Sequence, residues 1–262
     1  MKYLILALLL FIPVQVYAGT TDPYVPDSKY IEYGEKYECV LPIAGIYGNE
    51  LNSSFRASCV VISEYYIITA AHVVNRSITQ HVIKDNEVYP CSIVAIHSKF
   101  DPKKLGQHDI AIARLQRPIK LDFYPKLYIK KDEANKICGI AGYGHFGTYM
   151  EGYSISKFDN KRRAGSNIIS IAREYVLGFS VKDKPKTSLE MLICPGDSGG
   201  GLFIDQKLAG INSYVSADDG KANSNINDIG YSTRVSVYNE WIEKTQKIIE
   251  EILNRKPIKD IK

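Results

Sequence analysis

A serine hydroxyl is a poor nucleophile at neutral pH. It becomes competent when an imidazole takes its proton and a buried carboxylate orients that imidazole. The chain carries all three groups, each in a short local context: Thr69-Ala70-Ala71-His72, then His108-Asp109-Ile110-Ala111, then Gly196-Asp197-Ser198-Gly199-Gly200. Ser198 is the candidate nucleophile, His72 the general base and then acid, and Asp109 the orienting carboxylate. Asp109 leads into the apolar run Ile110-Ala111-Ile112-Ala113, where an unpaired charge is costly, so the imidazole N–H is its expected partner. Gly196 and Ser198 can turn backbone N–H groups toward one point, which is what an oxyanion hole requires.

The order of the three groups discriminates between folds. Gly196 to Gly200 also fits G-x-S-x-G, the nucleophile turn of lipase-type hydrolases, but those enzymes place their histidine after the serine. The five histidines are His72, His81, His97, His108 and His145, and none follows Ser198. A subtilisin-like order would need an aspartate before His72. Only Asp22 and Asp27 stand there, in a polar stretch without strand character.

The elements that must position these groups read as short strands. Cys39 to Ile43, Ala57 to Ile62, Tyr66 to Ala70, Cys91 to Ile96 and Ile110 to Leu115 are β-branched or aromatic-rich runs bounded by turn residues. A second set follows at Ile137 to Tyr143, Asn167 to Ile171, Met191 to Cys194, Leu202 to Ile204, Leu208 to Tyr214 and Gly230 to Val235. Many short strands without intervening helices predict an all-β sandwich or barrel. Gln116 to Ala134, broken by Pro118 and Pro125, is the expected linker. At the C-terminus, Tyr238, Trp241, Ile242, Thr245, Ile248, Ile249 and Ile252 recur at helical spacing and predict an amphipathic helix docked on the β body.

Met1-Lys2, the apolar run Tyr3 to Val14 and the small-residue pattern Val16-Tyr17-Ala18 predict a secretory leader cut after Ala18. The run is short for a membrane span, so stable membrane insertion is not expected. A net charge of +4 with 24% charged residues describes an ordinary surface. Lys161-Arg162-Arg163 reads as a solvated loop, and nothing points to nucleic acid. Cys39, Cys59, Cys91, Cys138 and Cys194 in an exported chain predict one or two disulfides and at least one free thiol. No cysteine–histidine cluster has zinc spacing, and no metal or cofactor is expected.

On these three motifs the chain resembles the trypsin- and chymotrypsin-like serine endopeptidases, from about Tyr37 to Ile252. The resemblance implies two antiparallel six-stranded β-barrels with the site between them and a C-terminal α-helix. It divides the chain into a leader 1–18, an N-terminal segment 19–36 (a candidate propeptide), and a peptidase domain 37–255. Within that domain the barrels fall at about 37–120 and 135–236, and the helix at about 237–254. It implies protein or peptide substrates, and an activating protease or an inhibitor as partners. It makes Asp197 a structural residue paired with a freshly cut amino terminus. The chain departs here, because no Arg/Lys-Ile-Val-Gly-Gly stands upstream. Gly19 after leader removal, a later-cut terminus and a side chain are all open as partners. In the same family the primary pocket would have Leu192 at its base and Ile193, Ser213-Tyr214-Val215, Gly230 and Ser232 as walls. With leucine where a basic-residue specificity needs aspartate, and Val215 narrowing the mouth, the resemblance implies cleavage after small or medium apolar residues. Cys138 and Cys194 match family positions whose usual partners are not cysteine here. A catalytically inert binding module and an esterase on the same fold are the alternatives.

Overall fold

The computed structural model describes residues 19–48, 53–104, 106–182 and 186–255. The predicted leader lies outside them. The first half contains strands β1 (Gly19–Thr21), β2 (Val40–Tyr47), β3 (Ser54–Ser63), β4 (Tyr66–Thr69), β5 (Ser77–Lys84), β6 (Glu87–Ile96) and β7 (Ala111–Leu115). Helix α1 (Asp27–Gly34) falls between β1 and β2, and the single turn α2 (Ala71–Val74) follows β4. Strands β2 to β7 close into a barrel in the order β2-β3-β4-β7-β6-β5. Its filling follows from the alternation of β-branched residues: Val40, Ile43, Val60, Ile67, Ile68 and Ile112 are all fully buried.

The second half contains β8 (Ile137–Gly142), β9 (Phe146–Thr148), β10 (Gly152–Ser154), β11 (Arg163–Ile168), β12 (Ile171–Ala172) and β13 (Val176–Ser180). It continues with β14 (Met191–Leu192), β15 (Gly201–Ile204), β16 (Lys207–Ser216) and β17 (Ile229–Arg234). Seven of these strands form one sheet, β11-β8-β15-β16-β17-β13-β12, and β10-β9-β1-β14 form a smaller one. The architecture is the chymotrypsin-like one, with the first barrel closed and the second a curved half-barrel. Helix α3 (Asn239–Asn254) crosses back to the first barrel. Ile242 and Ile249 are buried there, and Tyr66 donates to Glu250 at 2.6 Å. Ile248 and Ile252 of the predicted stripe are instead exposed, because only part of the helix face reaches the barrel.

The segment ahead of the first barrel is tied into the second half. β1 runs parallel to β9 and antiparallel to β14, and Thr20, Thr21 and Tyr30 are fully buried. Arg163, read from sequence as part of a solvated loop, is also fully buried. It grips Asp27 of α1 through Nε at 2.6 Å and Nη2 at 2.8 Å, and Asp159 through Nη2 at 2.8 Å. A buried guanidinium is tolerated because two carboxylates match its fork.

The five cysteines are all free, so the expected disulfides are absent. Cys59, Cys91 and Cys138 lie on β3, β6 and β8, Cys39 just before β2 and Cys194 just after β14; Cys59 Sγ donates to Leu41 O at 3.5 Å and Cys138 Sγ to Asn167 O at 3.4 Å. Burial pushes the thiols of Cys39, Cys91 and Cys138 up to about 12, which keeps them protonated. Among the described residues no helix is long and apolar enough to cross a membrane.

Candidate active site

β4 delivers His72. The strand is buried and ends at Thr69, and the extended backbone of Ala70 turns directly into α2. Ala70 and Ala71 have no exposed surface, so larger side chains would not fit there. The imidazole itself is 40% exposed and faces the groove between the halves. Asp109 reaches it from the turn before β7. His108, at φ +54°, makes that turn, and Ile110 N donates to His108 O at 2.8 Å.

Asp109 is 3% exposed and its carboxylate is fully engaged. Oδ1 accepts from the His72 amide at 2.8 Å; Oδ2 accepts from His72 Nδ1 at 2.8 Å and from Ser213 Oγ at 2.5 Å. Burial works to raise the carboxyl pKa, but the hydrogen bonds from His72 and Ser213 outweigh it and hold the group below the ordinary aspartate value. An ionised carboxylate can only accept, so Nδ1 carries the proton and Nε2 is left with its lone pair.

Ser198 sits on the turn between β14 and β15. Gly196 at φ +94° and Gly199 at φ +83° give this turn its shape. A Cβ on Gly199 would lie 2.2 Å from Ser58 O. The turn is pinned by Asp197 N to Cys194 O at 3.0 Å, Gly200 N to Asp197 O at 2.9 Å, and Ser58 N of β3 to Ser198 O at 2.9 Å. Along Gly196 to Gly200 the amides of Asp197, Gly199 and Gly200 each have an acceptor, whereas those of Gly196 and Ser198 have none among the described residues. Two unclaimed N–H groups flank the serine. Ser213 links the three groups: its hydroxyl holds Asp109, and its carbonyl accepts from Ser198 Oγ at 3.4 Å.

Asp197 differs from Asp109. It has no exposed surface, and its carboxylate accepts from the amides of Gly144 at 2.8 Å and Cys194 at 2.8 Å. No cation pairs with it among the described residues, and burial pushes its carboxyl up to about 7. Gly142 and Gly144 are needed beside it, since a Cβ on Gly142 would approach Asp197 Oδ1 to 2.2 Å. A chain of backbone bonds joins this turn to β1: Gly19 N donates to His145 O at 2.9 Å, and His145 N to Pro195 O at 2.8 Å.

Two cavities flank Ser213 and Tyr214. One, of about 240 Å³, is lined by Ser198, Ile193, Cys194, Val215, Ala222 and Ser224. The other, of about 230 Å³, is lined by His72, Phe100, Pro102, Gly106 and Tyr214 among others. Ile193, Ser213, Tyr214 and Val215 all line the cavity beside Ser198. Leu192 and Gly230 do not line a cavity: Leu192 is fully buried, paired with Thr20, and packs against the Gly230 backbone beneath the pocket. Ser232, also fully buried, donates to Asn212 Oδ1 at 3.1 Å. Sequence reasoning missed Ala222 and Ser224, because their loop has no periodicity to read. It also gave no role to His108, whose ring stacks on His97 at 4.7 Å and packs against Tyr175 and Tyr238 beside the Asp109 turn.

The family described as Trypsin matches residues 44–242 of the chain. Granzyme B of Rattus norvegicus is 26% identical over 224 residues, covering 76% of this chain and 83% of that protein. Trypsin iota of Drosophila melanogaster is 26% identical over 216 residues, covering 75% and 81%. Glandular kallikrein of Sus scrofa is 23% identical, covering 74% and 87%. Among solved structures, an HL collagenase superposes with a TM-score of 0.65 at 17% identity, over 88% of this chain and 99% of that one. Neuropsin, a serine protease of mouse brain, superposes with a TM-score of 0.58 at 21% identity, over 78% and 93%. These last two are likenesses of fold.

Proposed function

Because the chain belongs to the trypsin family, whose members are serine endopeptidases, we propose that it hydrolyses peptide bonds through Ser198, His72 and Asp109 after export from the cell. One observation carries this reading: Asp109 fixes His72 by Nδ1 and by its amide, which leaves Nε2 free, and His72 lines a cavity that shares Ser213 and Tyr214 with the cavity that Ser198 lines. In the reaction, His72 takes the Ser198 proton as the hydroxyl attacks the substrate carbonyl. The Gly196 and Ser198 amides receive the developing oxyanion, a contribution of about 100- to 1,000-fold per donor. His72 then protonates the leaving amine, and water cleaves the acyl-enzyme by the same route reversed. Asp109 stays ionised throughout.

The cavity walls Ile193, Val215 and Ala222 favour a small or medium apolar residue before the scissile bond. Cutting the leader after Ala18 would leave an α-ammonium on Gly19, and the bonds from Gly19 through His145 to Pro195 support Asp197 as its partner. On this reading segment 19–36 stays with the mature enzyme, and leader removal replaces a separate activating cut. The test is Ser198→Ala. It should keep the fold, lose turnover by at least about a thousandfold, and lose labelling by a fluorophosphonate probe that the native enzyme accepts. Retained labelling would reject Ser198 as the nucleophile.

A further inference from the structure

On the endopeptidase reading, a peptide that acylates Ser198 lays its acyl side over the two cavities beside Tyr214, and its leaving side runs the other way, past Ser58. This serine abuts the reacting turn closely: its amide bonds Ser198 O at 2.9 Å, and its hydroxyl bonds Gly196 O at 2.8 Å. Side chains alternate along β3. Phe55 and Ala57 are buried in the barrel, while Arg56 is exposed and shares a face with Ser58, about 7 Å further along the strand. Two residues of an extended leaving peptide span the same length.

Arg56 is held there without being neutralised. Its guanidinium lies 5.0 Å over the ring of Phe158, which packs 5.7 Å from His145, whose amide bonds Pro195 O beside Gly196. No carboxylate pairs with Arg56 among the described residues. Past it opens a cavity of about 390 Å³ between the two halves, with Arg162, Lys84, Asp85 and Glu38 in its walls. Lys84 and Asp85 pair with each other. Glu38 accepts from the Asp122 amide at 3.1 Å. Arg162 spends its donors on neutral acceptors: Gly34 O at 2.8 Å, Val40 O at 3.1 Å and the Tyr143 hydroxyl at 3.4 Å. The charge left over is positive, and Arg56 carries it to the edge of the groove. By contrast, the cavity beside Ser198 has no charged side chain in its walls, and in the cavity beside His72 Asp101 and Lys104 carry opposite charges.

We infer that Arg56, backed by Arg162, selects substrates with Asp or Glu at the second residue after the scissile bond. The inference rests on the endopeptidase reading above. The contact is solvent-exposed, so each favourable or unfavourable pair changes affinity by a few-fold. Together they give about a 5- to 10-fold preference for Asp over Lys at that position. The test uses internally quenched peptides with one common acyl side and Asp, Asn or Lys at the second leaving-side residue. The native enzyme should follow the order Asp, Asn, Lys in kcat/KM, and Arg56→Glu should reverse it. The native Asp-to-Lys ratio should also collapse toward one in 0.5 M salt, a measurement that needs no folded variant. Equal cleavage of the three peptides at low salt, or an order that Arg56→Glu leaves intact, overturns the inference while the endopeptidase reading stands. Failure of the native enzyme to cleave any peptide or take the fluorophosphonate probe rejects the underlying reading instead.

Discussion

Two buried aspartates lie within reach of the same groove, and their surroundings push them in opposite directions. Asp109 accepts hydrogen bonds from an imidazole, an amide and a hydroxyl, and its carboxyl is held below the ordinary value. Asp197 accepts from two amides alone and is pushed up to about 7. Burial acts on both; the difference is made by the partners that the folded chain itself supplies. The first carboxylate is finished when the fold is finished. The second has no cationic side chain paired with it among the described residues.

The sharpest way to break this comparison is Asp109→Asn. The amide would keep the shape of the site, but it favours the wrong imidazole tautomer. A loss of about 10,000-fold in kcat with an unchanged melting temperature is expected. A loss under tenfold would mean that the Asp109 contacts are packing and nothing more.

The second prediction concerns Asp197 in a chain extended by two residues ahead of Gly19, which moves the α-ammonium away. A carboxyl whose folded pKa is raised from 3.8 to about 7 binds a proton in the folded state that the unfolded state has released. Its contribution to stability is therefore complete below the unfolded value and is lost as pH rises through 7, an amount of about 4 kcal/mol. Melting temperatures of the extended chain should fall between pH 4 and pH 8. Asp197→Asn should remove that fall, and the chain starting at Gly19 should show much less of it. Equal pH profiles for the two chain lengths would mean that the Gly19 ammonium does not reach Asp197. The smallest effect is expected for Ser213→Ala. It removes one of the three donors to Asp109 and should lower kcat by about tenfold, with KM for short apolar substrates little changed. A change confined to KM would place Ser213 in substrate binding alone.

The same contrast separates what was legible in the sequence from what was not. His72, Asp109 and Ser198 are readable because each lies in a short local motif whose residue types are fixed by chemistry. The strands around them are readable because Tyr66 to Ile68 and Ile110 to Ala113 are unbroken runs of apolar or aromatic residues. β5 escaped because Ser77–Lys84 is half-exposed and carries little alternation. β1 escaped because three residues have no periodicity of their own; only β9 and β14, far along the chain, make Gly19–Thr21 a strand. Arg163 looked like a surface cation because its partners Asp27 and Asp159 come from a distant helix and a loop. Leu192 and Gly230 were placed one layer too near the substrate, since spacing from Ser198 fixes the strand but not its depth.

The unbridged sulfurs carry a consequence for where such an enzyme can work. The Arg163 clasp ties the N-terminal segment to the second half, and the Glu133–Arg234 pair at 2.6 Å ties the linker to it, with no disulfide among the described cysteines. Thiol-rich surroundings that would dismantle a sulfur-stapled protease leave this scaffold its full set of contacts.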